Sequence, residues 1–184
     1  MANLLTLSRI ALVVPFVAMF FIATQWAMIV AFALFALASV TDYLDGRIAR
    51  ARGETSALGA ALDPLADKIL VAAALVLLIR NGVIRDIGVI AALAILLREV
   101  LVGGLREALG RYGETLPVTS LAKIKTSVQL LSIGMLIASA PGGLAGEKIA
   151  PFAAAMFWVA TALTVATGID YSRKAIGYLR TKTA

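Results

Sequence analysis

The sequence contains no cysteine and no histidine. Without cysteine there is neither a disulfide framework nor thiol chemistry. Without histidine, the commonest general base and transition-metal ligand is excluded. Any proton transfer must therefore use Asp, Glu, Lys, Tyr or water.

Charged residues are also scarce, at 15% of 184 residues against 61% hydrophobic residues. Soluble domains are about 45–50% apolar, so the composition predicts an integral membrane protein. The length predicts a single domain over residues 1–184. The net charge of +6 comes from basic residues that alternate with apolar runs, which favours anionic lipids and phosphorylated substrates as partners and argues against nucleic acid.

Six apolar segments approach the ~20 residues that a membrane-spanning helix needs. We therefore predict an all-α fold with six transmembrane helices, at about 4–23, 26–40, 62–79, 84–105, 121–140 and 149–169. The second should continue as a helix into the polar stretch that follows it. No small-residue cleavage site stands out after the first, so we expect it to be retained.

The distribution of lysine and arginine predicts the orientation. Fourteen of the 17 lie on one predicted side of the membrane, and only Arg80, Arg85 and Lys148 lie on the other. Cytoplasmic loops carry the excess of basic residues, so both termini are expected to be cytoplasmic. The predicted outer connections are short and lie near residues 25, 81 and 142.

Four aspartates, Asp42, Asp45, Asp63 and Asp67, stand between long apolar runs. In helices, the first pair at i and i+3 and the second pair at i and i+4 each share one face. Two such faces turned together would make a four-carboxylate cage, and the mutual repulsion would be relieved by a cation. An all-oxygen ligand set favours magnesium, manganese or calcium over zinc.

Ordinary structural roles are an alternative for the same residues. Asp63-Pro64 is also typical of a helix start, with Asp63 as the N-cap and Pro64 at the first helical position. Likewise, Asp45-Gly46 is typical of a turn.

A second polar region follows the fourth and fifth apolar segments. Arg106, Lys123 and Lys125 fall at the predicted cytoplasmic helix ends, where cations opposite a caged metal would suit a second phosphorylated substrate. The alternative is that the general bias of basic residues toward the cytoplasm placed them there, and that Arg98 and Glu99 only neutralise one another.

The stretch Asp42–Asp67 resembles the signature of the CDP-alcohol phosphatidyltransferases, D-x-x-D-G-x-x-A-R-x8-G-x-x-x-D-x-x-x-D, at all eight specified positions. Three further stretches are similar to the phosphatidylglycerophosphate synthase branch of that family: residues 3–9, residues 98–107, and residues 123–126 with Gln129.

The resemblance implies transfer of a phosphatidyl group from CDP-diacylglycerol to sn-glycerol 3-phosphate, with release of CMP. It implies that two Mg²⁺ or Mn²⁺ ions are bound by the four aspartates, and that Asp67 is also the general base, a choice that spacing alone leaves open between Asp63 and Asp67. The CDP-diacylglycerol site would be lined by Gly46, Ala49, Arg50 and Gly59. The acceptor phosphate would be bound by Arg106, Lys123 and Lys125.

The resemblance further implies a homodimer in a bacterial cytoplasmic (inner) membrane, with its active site facing the cytoplasm. Inositol phosphate, serine or phosphatidylglycerol as the acceptor would use the same aspartate motif. Outside the enzyme class, a divalent-cation transporter would also carry acidic residues within its membrane helices. A structural role would pair the aspartates with Arg47, Arg50 and Arg52.

Overall fold

The structure is a computed structural model. It describes the backbone of residues 2–22, 24–52, 57–114 and 119–183. Within these ranges, side chains are described except at positions 2–7, 9, 25, 42–52, 57–64, 67 and 181–183.

The described residues are mostly helical and contain no strand, which confirms the all-α class. The six α-helices are α1 (Ala2–Met19), α2 (Gln25–Arg52), α3 (Ala57–Arg80), α4 (Ile87–Arg111), α5 (Ser120–Ser139) and α6 (Ala150–Thr183). A short 3₁₀ turn, Glu147–Ile149, precedes α6.

Three described helices are long and apolar enough to cross a membrane: α4, α5 and the stretch Glu147–Arg180 that contains most of α6. Two shorter apolar helical stretches, Ile10–Met19 and Trp26–Thr41, lie in α1 and α2. The chain is therefore a membrane protein by the length and composition of its helices.

Several helices extend beyond the predicted apolar runs, and α6 does so by the largest number of residues. Helix α3 begins at Ala57, before the apolar run predicted from position 62, and α6 continues to Thr183, well past position 169. The prediction followed hydropathy, which falls after Ile169. The helix persists there because polar residues can pair along its surface, as Lys174 does with Asp170 at 2.8 Å.

The first compact unit comprises Met1–Arg85 and Ile133–Ala154. Helix α1 packs on α2 and α3, and the ring of Phe16 lies 5.2 Å from that of Phe20 and 6.0 Å from that of Phe35. Buried alanines on α2, including Ala27 and Ala31, let the helices approach closely. This packing holds the apolar part of α2 in place and so positions the polar end of the same helix.

Three short connections of the first unit meet at one end. A cavity of about 660 Å³ is lined by residues of the α1–α2 turn, the α3–α4 turn and the α5–α6 turn, among them Phe21, Asn81 and Gly142. Arg80, at the end of α3, contacts the α1–α2 turn. Its guanidinium carbon lies 4.1 Å from the ring centroid of Phe21, and its NH1 donates a hydrogen bond to the carbonyl of Phe20 at 3.4 Å. These are the three connections that the sequence predicts on the outer side.

The second compact unit comprises Asp86–Ser132 and Ala155–Ala184. Its buried apolar side chains include Ile95 and Leu109 of α4 and Phe157 of α6. Helix α5 begins with a side-chain cap, because Oγ1 of Thr119 accepts a hydrogen bond from the backbone N–H of Ala122 at 3.2 Å.

Candidate functional site

The four aspartates lie on two uninterrupted helices. Asp42 and Asp45 belong to α2, and Asp63 and Asp67 belong to α3. Each pair is therefore one helical turn apart on a single face, as the predicted cage requires. The four side chains lie outside the described residues, so the coordination of a metal stays a prediction.

The backbone decides against both ordinary roles considered for these residues. Asp63 does not cap a helix start, because α3 begins six positions earlier at Ala57. Asp45 and Gly46 do not form a turn, because α2 runs through them to Arg52. The aspartates thus occupy interior positions in the sequence of two long helices, where neither capping nor turn formation accounts for them.

The predicted CDP-diacylglycerol residues share these two helices. Gly46, Ala49 and Arg50 follow Asp45 on α2, and Gly59 precedes Asp63 on α3. Their side-chain environments lie outside the described residues. The backbone nevertheless places Ala49 four residues after Asp45, on the face that carries the aspartates.

The donor set fits a hard divalent cation. Four carboxylates offer only oxygen ligands, which Mg²⁺ and Mn²⁺ prefer. Among the described side chains, no three histidine, cysteine, aspartate or glutamate residues come together as an alternative metal site.

Lys125 is buried in an ion pair. Its side chain is 4% exposed, and its Nζ lies 2.6 Å from Oε1 of Glu99, which is 15% exposed. The same oxygen lies 3.3 Å from NH1 of Arg98. Glu99 therefore neutralises Arg98, as the alternative interpretation expected, and in addition joins α4 to α5 through Lys125.

Arg106 and Lys123 have different surroundings from Lys125. Both are exposed. The guanidinium carbon of Arg106 lies 5.3 Å from the ring centroid of Tyr171 on α6, a cation–π contact. The three cations proposed for the acceptor thus comprise one buried group and two exposed ones, all within the second unit.

The sequence interpretation missed a buried polar stripe on α5. Lys125, Gln129 and Ser132 recur at i, i+4 and i+7, and all three are buried. Oγ1 of Thr164 on α6 lies 3.3 Å from Oε1 of Gln129. The helical spacing of these polar residues within an apolar segment is a signal that the sequence already carried.

Glu99 was also missed as a partner of Lys125. The two residues are 26 positions apart, and no local pattern links an acidic residue on one helix to a lysine on the next. In this arrangement the carboxylate of Glu99 balances the charge of the Lys125 ammonium group, which is buried in a low-dielectric interior.

The whole chain resembles enzymes of lipid synthesis. Residues 1–166 match the family model described as CDP-alcohol phosphatidyltransferase. A CDP-diacylglycerol–glycerol-3-phosphate 3-phosphatidyltransferase of Rickettsia bellii is 38% identical over 92% of this chain and 91% of its own length. The enzyme of the same name from Cereibacter sphaeroides is 37% identical over 97% and 96%, and that from Rickettsia typhi is 36% identical over 92% and 93%.

Proposed function

Because the chain belongs to the CDP-alcohol phosphatidyltransferase family, we propose that it transfers a phosphatidyl group from CDP-diacylglycerol to sn-glycerol 3-phosphate, giving phosphatidylglycerol phosphate and CMP. One observation supports the choice of acceptor. Over more than nine-tenths of its length, the chain is similar to enzymes whose name specifies glycerol 3-phosphate. The likeness over the full length of those relatives also supports a single membrane domain, residues 1–184.

Divalent metal dependence is general in this family. We place the metal on Asp42, Asp45, Asp63 and Asp67, since two helical carboxylate pairs provide the oxygen ligands for two Mg²⁺ or Mn²⁺ ions. When bound, such ions neutralise charge on the pyrophosphate of the substrate. Gly46, Ala49, Arg50 and Gly59 then line the space for the cytidine diphosphate group.

The chain's own contribution to the chemistry is a base and a set of cations. The primary hydroxyl of glycerol 3-phosphate must lose its proton as its oxygen bonds to phosphorus, and the bond from that phosphorus to CMP breaks. The absence of histidine makes a carboxylate the obvious candidate for the base. We assign proton acceptance to the carboxylate of Asp67, and not to that of Asp63, on the resemblance of the aspartate motif to that of the family. The rest of the catalysis is positioning and charge neutralisation, as phosphoryl transfer generally requires.

Arg106 and Lys123 are the cations that we assign to the phosphate of the acceptor, because both are exposed and an exposed cation is available to a ligand. Lys125 is already paired with Glu99 at 2.6 Å. Its assignment to the acceptor therefore requires that phosphate share Lys125 with Glu99. Because Glu99 already neutralises Lys125, we expect Lys125 to contribute less to phosphate binding than Arg106 and Lys123.

The proposed topology has six membrane-spanning helices, with both termini and the aspartates on the cytoplasmic side of a bacterial inner membrane. The common cavity of the three short connections supports it, since these loops lie at one end of the first unit, with Arg80 among them. Helix α2, at 28 residues, is about 42 Å long, which exceeds the ~30 Å hydrocarbon layer. Its polar end with Asp42 and Asp45 therefore reaches the interface. A homodimer is part of the proposal on family likeness alone.

The test is CMP release from CDP-diacylglycerol by the purified protein with Mg²⁺, offering glycerol 3-phosphate, inositol phosphate, serine and phosphatidylglycerol in parallel. We expect release with glycerol 3-phosphate alone. Release with serine or phosphatidylglycerol, neither of which carries a phosphate monoester, would overturn the assignment of Arg106 and Lys123. Release with inositol phosphate would change only the acceptor, and all three results would leave the aspartate chemistry standing. No release from folded protein with any acceptor would contradict the proposal as a whole, and ion flux into liposomes would then favour cation transport.

A further inference from the structure

A groove of about 760 Å³ runs along the second unit between α4 and α6. On α6 its lining residues recur at positions 165, 168, 169, 172, 173, 176, 177 and 180, which is one continuous helical stripe. The stripe is about 22 Å long at 1.5 Å per residue. It therefore has the length of a lipid acyl chain with part of its head group.

The polarity of the groove changes along its length. One end is walled by Leu97, Leu101, Val165 and Ile169, which are all exposed apolar side chains. The other end carries arginines, Arg173 and Arg180. Since α6 at 34 residues is about 51 Å long, its C-terminal end extends beyond the ~30 Å hydrocarbon layer, so the arginines lie at head-group depth.

Two buried polar atoms on the groove wall lack a partner. Among the described residues, neither Nε of Arg98 nor Oγ of Ser172 has a hydrogen-bond partner, and both residues line the groove. Buried polar atoms are nearly always satisfied.

Ser172 contrasts with the hydroxyl residues that precede it on α6. Thr161 and Thr164 each donate to the carbonyl four residues earlier, at 2.8 and 2.7 Å. Ser172 makes no such bond within the described residues, although its Oγ is buried beside the groove.

The charge at this end of the groove is positive. Asp170, the nearby acidic residue on α6, is paired with Lys174 at 2.8 Å on the exposed surface. Glu114 hydrogen-bonds to Tyr178 near the same end. Arg173 and Arg180 both line the groove there and bring two positive charges to it, and anionic lipid head groups are attracted to such sites.

We propose that this groove is a binding site for an anionic glycerophospholipid of the surrounding membrane, separate from the substrate lipid. An acyl chain lies against Leu97, Leu101 and Ile169. The phosphate lies near Arg173 and Arg180. Ser172, whose Oγ is buried in the structure, turns to another χ1 rotamer and donates a hydrogen bond to an oxygen of the lipid. A zwitterionic lipid of the same chain length fills the apolar part of the groove equally well. The preference for an anionic lipid over a zwitterionic one therefore comes from the two arginines.

A single introduced cysteine reports on the groove, because the natural chain has none. Gly177 lines the groove, and a Cβ atom there meets no heavy atom within 4 Å. Gly177→Cys can therefore carry a bimane fluorophore. The matched control is Gly104→Cys on α4, where a Cβ atom also meets nothing within 4 Å and which does not line the groove.

The measurement is bimane quenching by phospholipids with a nitroxide close to the glycerol, titrated into nanodiscs as phosphatidylglycerol or phosphatidylcholine. At position 177 we expect phosphatidylglycerol to reach half-maximal quenching at a lower mole fraction than phosphatidylcholine. Each arginine should contribute about fivefold to this difference. At position 104 the two lipids should quench alike. Arg173→Gln and Arg180→Gln should each lower the preference at position 177, and both residues are exposed, so neither change removes core packing.

Three results would overturn the proposal. Equal quenching by both lipids at position 177 would mean general annular lipid only. Loss of the phosphatidylglycerol signal on adding CDP-diacylglycerol equimolar with protein would assign the groove to the substrate. A third result is that unlabelled protein slows the reaction of the Gly177→Cys thiol with bimane while neither lipid is preferred. It would mean that a second copy of the chain covers the groove. None of these readouts requires enzymatic activity, so the outcome is independent of the acceptor assay.

Discussion

Glu99 and Lys125 form a buried ion pair between α4 and α5, with Oε1 of Glu99 lying 2.6 Å from Nζ of Lys125. The same oxygen lies 3.3 Å from NH1 of Arg98. One carboxylate thus balances two cations inside an apolar helical unit. The pair is asymmetric as a result, because losing Lys125 leaves Glu99 with Arg98, whereas losing Glu99 removes the carboxylate that both cations share.

This asymmetry predicts that Glu99→Gln destabilises the protein more than Lys125→Met. Breaking a buried pair by removing one partner costs about 3–5 kcal/mol. For a chain of this size, that corresponds to a fall in Tm of about 6–20 °C for Glu99→Gln, and the fall should be smaller for Lys125→Met. Thermal unfolding in detergent measures both.

An exposed pair on α4 is the control for that comparison. Glu107 lies 2.9 Å from Arg111, and the two side chains are 72% and 76% exposed. Glu107→Gln should change stability by no more than about 1 kcal/mol. If Lys125→Met were as damaging as Glu99→Gln, Arg98 would not be compensating Glu99.

Gly168→Ala should destabilise the packing of α6 on α4. A Cβ atom at position 168 would lie 2.7 Å from Cγ of Arg98, so the arginine would have to move. Overpacking of this kind costs about 1–3 kcal/mol. Gly177→Ala on the same helix is the control, since its Cβ atom meets nothing within 4 Å and alanine favours the helix by up to about 1 kcal/mol. Thermal unfolding in which both variants lost stability equally would show that the contact with Arg98 is not the cause.

The all-α class and the register of the aspartates were predictable, because both depend on local patterns. Apolar runs near the membrane-spanning length marked the helices, and the spacing of Asp42 and Asp45 needed only a helical backbone, which α2 provides. The end of α6 was not predictable from hydropathy, since polar pairs sustain it after the apolar run stops. The partner of Lys125 was not predictable either, because it depends on how α4 and α5 pack.

Metal removal should abolish the reaction reversibly. If two aspartate pairs bind the ions, chelation with EDTA stops CMP release, and Mg²⁺ or Mn²⁺ restores it, because an all-carboxylate site prefers hard cations. Asp42→Asn should raise the metal concentration that gives half-maximal rate. Full activity in EDTA, after dialysis that removes bound ions, would contradict the metal assignment.

Asp67→Asn should abolish turnover while folding and metal-dependent binding of CDP-diacylglycerol remain largely intact. Asparagine keeps the shape of the side chain and cannot take up the proton of the acceptor hydroxyl. Asp86→Asn is the control for loss of an acidic residue, because Asp86 is exposed in the α3–α4 connection with a φ of 47°, a conformation that asparagine also adopts. CMP release and equilibrium binding of the lipid are measured on the same preparations. Wild-type-like activity of Asp67→Asn would remove Asp67 from the mechanism.

Arg106→Gln should raise KM for glycerol 3-phosphate and leave KM for CDP-diacylglycerol unchanged. A charge-assisted hydrogen bond contributes about 1.5–3 kcal/mol, which corresponds to a rise of about 10-fold to 150-fold.

Tyr171→Leu should raise the same KM by a smaller factor, about 2-fold to 5-fold, because the ring lies 5.3 Å from the Arg106 guanidinium carbon and orients it through a cation–π contact. Tyr171→Phe keeps the ring and should behave as wild type. Arg111→Gln on the same helix, an exposed arginine paired with Glu107, is the charge-matched control. A rise in KM for both substrates with Arg106→Gln would indicate a general electrostatic effect and would remove Arg106 from the acceptor site.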